Sequence, residues 1–114
     1  MAVAVFARYS NLTPSKYDEI IAGLDLDANP PAGAVLHVAG EGEGEVVVCE
    51  IWRTEETFRS FYDYRLRPAL LTHGVEGEPS ISIAPLHNLF AAEMETVERM
   101  GAVSLPATYA GAAL

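Results

Sequence analysis

Three histidines, His37, His73 and His87, are the first candidates for chemistry in this chain of 114 residues. Imidazole is the side chain that exchanges its proton near neutral pH. His37 stands inside an apolar run, and alternation places it with Val35 and Ala39. It reads either as a base facing a cavity or as an interior side chain with a satisfied partner. His87, beside Asn88, comes towards the end of the last apolar stretch. Strand ends are where a sheet opens to a pocket, so this pair is a candidate for catalysis and substrate contact. His73 precedes Gly74 at an expected helix end, where a cation complements the dipole. That role is structural.

Tyr17, Tyr62 and Arg65 form a second set. Both tyrosines lie on the apolar faces of expected helices, and a buried phenol needs a hydrogen-bond partner. Each either packs the core or orients a substrate carbonyl or phenol. Arg65 falls by helical angle on the same face as Tyr62. There it must pair with an acid such as Glu50, stabilise a substrate oxyanion, or snorkel outward if the helix rotates after Phe61. Glu50 and Trp52 share one strand face, with Cys49, Ile51 and Arg53 on the other. Glu50, if buried, could serve as a base or a substrate contact. Trp52 reads as core or dimer packing, or as a wall of the substrate site. Cys49, between apolar neighbours, reads as an inert thiol.

The elements that position these residues follow from periodicity. Residues 2–8 make a first strand, buried on both faces, and Tyr9–Leu12 a turn. Thr13-Pro14 starts a helix with a capping hydroxyl and a proline at the first helical position. Tyr17, Ile20, Ile21 and Leu24 then form one apolar stripe. Pro30-Pro31 end that unit. Residues 34–39 and 46–53 are the second and third strands, joined by the acidic connection Gly40–Glu45. The third strand runs straight into a helix, Thr54 to Leu71, capped by Thr54 with Glu55 and Glu56 in its first turn and with Pro68 kinking its end. Residues 81–90 are the last strand, with Pro85 suited to an edge or a bulge. Residues 1–90 therefore form one domain of order βαββαβ, a ferredoxin-like α+β sandwich. Residues 91–114 are a C-terminal helical extension and tail.

Composition excludes several functions. Sixteen acids against seven Lys and Arg leave a net charge of -9, with no basic stripe for nucleic acid or an anionic membrane. One cysteine makes no disulfide framework. The apolar start, Met1–Phe6, is too short to span a membrane and lacks the basic flank of a signal peptide, so a cytoplasmic protein is expected. The Gly-Glu repeat of residues 40–45 follows neither calcium-loop nor phosphate-loop spacing. No metal, nucleotide or flavin fingerprint is present, and no cofactor is expected. Half of the residues are hydrophobic, and helices cover only one face of such a sheet. A second copy would cover the other, so a homodimer is expected.

The chain resembles the dimeric α+β barrel superfamily, which includes the antibiotic-biosynthesis monooxygenases and the haem-degrading monooxygenases. Thr13-Pro14 with Tyr17, Pro30-Pro31-Ala32-Gly33 leading into Leu36-His37-Val38-Ala39-Gly40, and Trp52 with Phe58 carry the resemblance. Arg65-Leu66-Arg67-Pro68-Ala69-Leu70 and His87-Asn88-Leu89-Phe90 extend it, so that it covers most of residues 2–90 and matches an uncharacterised branch best. It implies a dimeric barrel and a small cofactor-independent enzyme acting on an apolar, aromatic or polyketide-like molecule. The reaction would be an oxygenation, or a cyclisation or isomerisation by proton transfer. The substrate would lie between helices and sheet, with His37 or His87 as acid or base and Arg65 on an oxyanion. Tyr17, Tyr62, Glu50, Trp52 and Asn88 would bind substrate. Two features depart from the catalytic branches. Phe61 stands where many members have a histidine, and the first strand lacks the asparagine of the haem-degrading members. The rival reading is a non-catalytic module that binds a small molecule or a protein.

Overall fold

The computed structural model describes residues 1–26 and 28–104. Strand β1 (Val3–Ser10) is followed by helix α1 (Pro14–Leu24), and strands β2 (Ala34–Gly42) and β3 (Glu45–Trp52) form a hairpin. Helix α2 (Glu55–Phe61), a π-helical turn (Tyr62–Leu66) and helix α3 (Arg67–Thr72) run end to end. Strand β4 (Ser80–Pro85) and helix α4 (Met94–Ser104) complete the order. The sheet is antiparallel, in the order β2-β3-β1-β4. Each strand–helix–strand unit is thus split by a strand of the other, the ferredoxin-like arrangement.

Local chemistry accounts for the boundaries. The Thr13 hydroxyl accepts from the Lys16 amide at 3.1 Å, and Pro14 supplies the fixed φ of the first turn. Thr54 caps α2 in the same way through the Thr57 amide at 3.1 Å. Gly33 sits between the two layers with φ of +84°, and a Cβ there would meet the Thr57 hydroxyl at 2.4 Å. Only glycine lets the start of β2 approach the cap of α2 this closely. The Gly33 carbonyl also accepts from the Arg53 amide at 2.8 Å.

Several elements differ from the sequence expectation. Tyr9 and Ser10 continue β1 rather than starting a turn, because β3 pairs with them as far as Val46 and Glu45. The connection expected at Gly40–Glu45 shrinks to Glu43-Gly44, with Gly44 at φ of +68°, and β2 extends to Gly42. Strand β4 ends at Pro85 instead of residue 90. One further bond, Leu86 N–H to the Ala2 carbonyl at 2.9 Å, follows it, and His87 and Asn88 lie exposed beyond the sheet. The long second helix does reach Thr72, but its middle widens into a π turn in which the Arg67 amide donates to the Tyr62 carbonyl. Helical structure in the C-terminal extension continues past Met100 to Ser104. The tail expected beyond it lies outside the described residues.

The core lies between the helices and one face of the sheet. Val3, Val5, Ala7 and Tyr9 of β1 and Val46, Val48, Glu50 and Trp52 of β3 point into it. Phe58, Tyr62 and Leu70 cover them from the α2–α3 side, and Ile20 does so from α1. The outer face of β1 is not buried in the single chain: Phe6 is 50% exposed and Val38, on β2, is 53% exposed.

Candidate functional site

The hairpin register builds the site. β2 and β3 pair so that His37 lies opposite Glu50, and an irregularity between Ala34 and Leu36 resets the strand beside Trp52. Opposed side chains in an antiparallel pair share a face with their Cβ atoms within about 5.5 Å. His37 and Glu50 are thereby delivered to each other by backbone pairing alone. Glu50 Oε2 lies 2.5 Å from His37 Nδ1, and Trp52 Nε1 donates to Glu50 Oε1 at 2.9 Å. Tyr17, from α1, closes the series: its hydroxyl is 2.6 Å from His37 Nε2, and its ring stacks on the imidazole with centroids 6.0 Å apart.

Donor chemistry assigns the protons. The indole N–H can only donate, and a carboxylate can only accept. A neutral His37 facing the Glu50 carboxylate therefore carries its proton on Nδ1, leaving Nε2 to accept from the Tyr17 hydroxyl. The result is a directed relay, Tyr17 to His37 to Glu50, with Trp52 holding the second carboxylate oxygen. Its inner end is dry and its outer end is open. Trp52 is 3% exposed, the Glu50 side chain 10% and the His37 side chain 37%.

The relay lines a cavity of about 450 Å³ between the helices and the sheet. Most of the remaining wall is apolar, with Ile20, Leu24, Val48, Phe61, Leu66 and Leu70 among its residues. Val97, Glu98 and Gly101 of α4 supply a further side. The volume suits a drug-sized ring compound. Burial is the main reason that the Tyr17 phenol is pushed up to about 12, with the Glu50 and Asp18 charges adding to it. Tyr9 shares the cavity wall and its phenol is raised further, again mainly by burial and then by Glu50.

The structure unites some of the expected site residues and separates others. Tyr17, His37, Glu50 and Trp52 are brought together on one wall. Arg65 lies outside that group. Its guanidinium donates to the Leu24 carbonyl at 2.8 Å, closing the C-terminal end of α1, and sits 5.5 Å from the Phe61 ring centroid. The partner of Arg65 is therefore a main-chain carbonyl rather than Glu50. Tyr62 is buried against Phe58, ring centroids 6.2 Å apart, and does not line the cavity. Its phenol is raised by burial first and by Glu78 second. His87 and Asn88 do not line the cavity either. His73 donates from Nδ1 to the Ala69 carbonyl at 2.8 Å, in keeping with a helix-end role. Sequence reasoning missed two polar residues of the cavity wall, Tyr9 and Glu98. Continuing the alternation Val3, Val5, Ala7 by one step would have found Tyr9.

The sequence matches no family model and no curated protein sequence. Solved structures do match it. A protein of unknown function from Nitrosomonas europaea is 17% identical with a TM-score of 0.59, over 81% of this chain and 95% of the other. A candidate antibiotic biosynthesis monooxygenase from Caulobacter crescentus is 17% identical with a TM-score of 0.58, over 76% and 91%. SnoaB, a cofactor-independent oxygenase from Streptomyces nogalater, is 12% identical with a TM-score of 0.55, over 77% and 94%. The chain thus has the ferredoxin-like α+β fold of the antibiotic-biosynthesis-monooxygenase-like proteins.

Proposed function

We propose that this chain, sharing the fold of the antibiotic-biosynthesis-monooxygenase-like proteins, is a small enzyme that moves a proton on an apolar, aromatic or polyketide-like molecule. The relay of Tyr17, His37 and Glu50 opening onto an apolar cavity carries this reading. A ring compound with an acidic C–H or O–H beside the Tyr17 oxygen would give up that proton to it. The phenol proton passes in the same event to His37 Nε2, and the imidazolium so formed is held by the Glu50 carboxylate. Tyrosine ends neutral and the substrate ends as an enolate or phenolate. The raised Tyr17 value favours this concerted passage over a stored tyrosinate. Return of the proton at another carbon gives isomerisation, and attack of the enolate on a carbonyl of the same molecule gives cyclisation. Dioxygen, as co-reactant, would add at the carbanion to give a peroxide anion that takes the imidazolium proton back, and the hydroperoxide so formed loses water to leave a carbonyl. The fold shared with SnoaB, an oxygenase without a cofactor, supports that last branch.

The second reading, a binding module without catalysis, draws on one observation. Glu50, His37, Trp52 and Tyr17 satisfy one another and leave a mostly apolar cavity. Exchange of the α-protons of 2-tetralone in D2O, followed by NMR, decides between them. The catalytic reading expects accelerated exchange that His37→Gln abolishes and His87→Ala retains. Binding of the ketone with no acceleration would leave the module. A two-fold dimer, sheet on sheet, belongs to the same proposal. Phe6 and Val38 on the outer face, beside Val47 and Cys49, form an apolar trough that a second copy would cover.

A further inference from the structure

From the charges around the cavity we infer that the site selects its ligand by charge: it takes a neutral or ammonium-bearing aromatic compound and excludes carboxylates and phosphates, with Glu98 of α4 as the selecting residue. This rests on the proposed use of the cavity, and it narrows the substrate class. Among the described residues no lysine or arginine lines the cavity, whereas two glutamates do, Glu50 on the floor and Glu98 on α4. Arg65, the cation that helical angle aims at this region, is engaged with the Leu24 carbonyl. A ligand carboxylate or phosphate would therefore enter an apolar space without a counter-ion, facing two groups of its own sign. Burying an anion under those conditions is costly. The overall charge of -9 opposes its approach from a distance as well.

An ammonium group meets the opposite situation. Glu50 is occupied by His37 and Trp52, but Glu98 is exposed at the α4 side and is outside the ion pairs found among the described residues. Glu98 acts on the ligand's charge, not on the proton relay, so its effect should fall on binding and discriminate between ligands of one shape.

Three compounds on one scaffold test this: 2-tetralol, 2-aminotetralin and tetralin-2-carboxylate, titrated into the full chain by calorimetry at low ionic strength. The amine and the alcohol should bind, and the carboxylate should bind at least about tenfold more weakly than the alcohol. Glu98→Gln should weaken the amine about two- to fivefold, the range of an exposed ion pair, with a much smaller change for the alcohol. A carboxylate affinity equal to that of the alcohol would overturn the inference while leaving the proton-transfer reading standing. An amine affinity unmoved by Glu98→Gln would overturn the role of Glu98. Absence of binding by all three compounds would overturn both readings together.

Discussion

Replacing Glu50 by glutamine keeps the side chain's shape and reverses the order of donors beside it. The amide oxygen can still accept from Trp52 Nε1, now 2.9 Å from Glu50 Oε1. The amide nitrogen must then face His37 Nδ1 and can only donate. The imidazole is forced into the other tautomer, with its proton on Nε2, and Nε2 can no longer accept from Tyr17. Two charge-assisted hydrogen bonds become neutral ones, a loss of about 1 kcal/mol each, offset in part because a charge no longer has to be buried. A net destabilisation of about 1–2 kcal/mol is expected, or a fall of about 4–10 °C in Tm. The domain should therefore fold, and proton transfer should slow by about 10²–10⁴-fold. Long-range 15N–1H spectra of the imidazole nitrogens read the tautomer directly, without a substrate. Persistence of the Nδ1–H tautomer in Glu50→Gln, or unchanged exchange of 2-tetralone, would refute the relay.

Other perturbations follow from the same geometry. Trp52→Ala removes a side chain packed against Phe58 and Phe61, with ring centroids 5.7 and 5.5 Å away, and should cost about 3–5 kcal/mol in urea denaturation. A near-neutral midpoint would take Trp52 out of the core. The raised phenol of Tyr17 means that the folded state holds its proton more tightly than the unfolded chain, whose value is 10.0. That contribution to stability is complete below pH ~10 and is lost as pH rises towards ~12. Tyr17→Phe should flatten this alkaline loss and remove one late step from the absorbance titration. Paired substitution of Phe6→Glu and Val38→Glu should convert a dimer to a folded monomer by light scattering. An unchanged mass would place any self-association elsewhere.

Much of this architecture is legible in the sequence because its signals are local. Thr13-Pro14, the Tyr17-Ile20-Ile21-Leu24 stripe and the Thr54-Glu55-Glu56 cap each set an element within a few residues. The relay is harder to read because it depends on register. His37 meets Glu50 only if the turn is Glu43-Gly44, and treating residues 40–45 as one loose connection hides that pairing. A glycine available for positive φ at position 44 was the signal for it. Arg65 is misleading for a related reason. Helical angle counts every residue as an equal step, and the π turn breaks that count between Phe61 and Leu66. The early end of β4 reflects Pro85, which has no N–H to continue the ladder. His87 and Asn88 are therefore carried off the sheet, and the histidine within the strand, not the one beyond it, meets the cavity.

The wide turn at Tyr62–Leu66 has a consequence for how this chain can change length. In register it behaves as a one-residue insertion in an otherwise α-helical rod. Phe61 and Leu66, five apart, can share the cavity wall because that extra residue is absorbed between them. Deleting Tyr64, which is 80% exposed, removes little packing of its own. It would let the rod close to a uniform α-helix in which Phe61 and the present Leu66 stand four apart and still share one face. Leu66 and Leu70 would therefore keep their places in the wall. The wide turn is thus a place where this chain can lose a residue in length without any substitution inside the cavity and without a change in its lining.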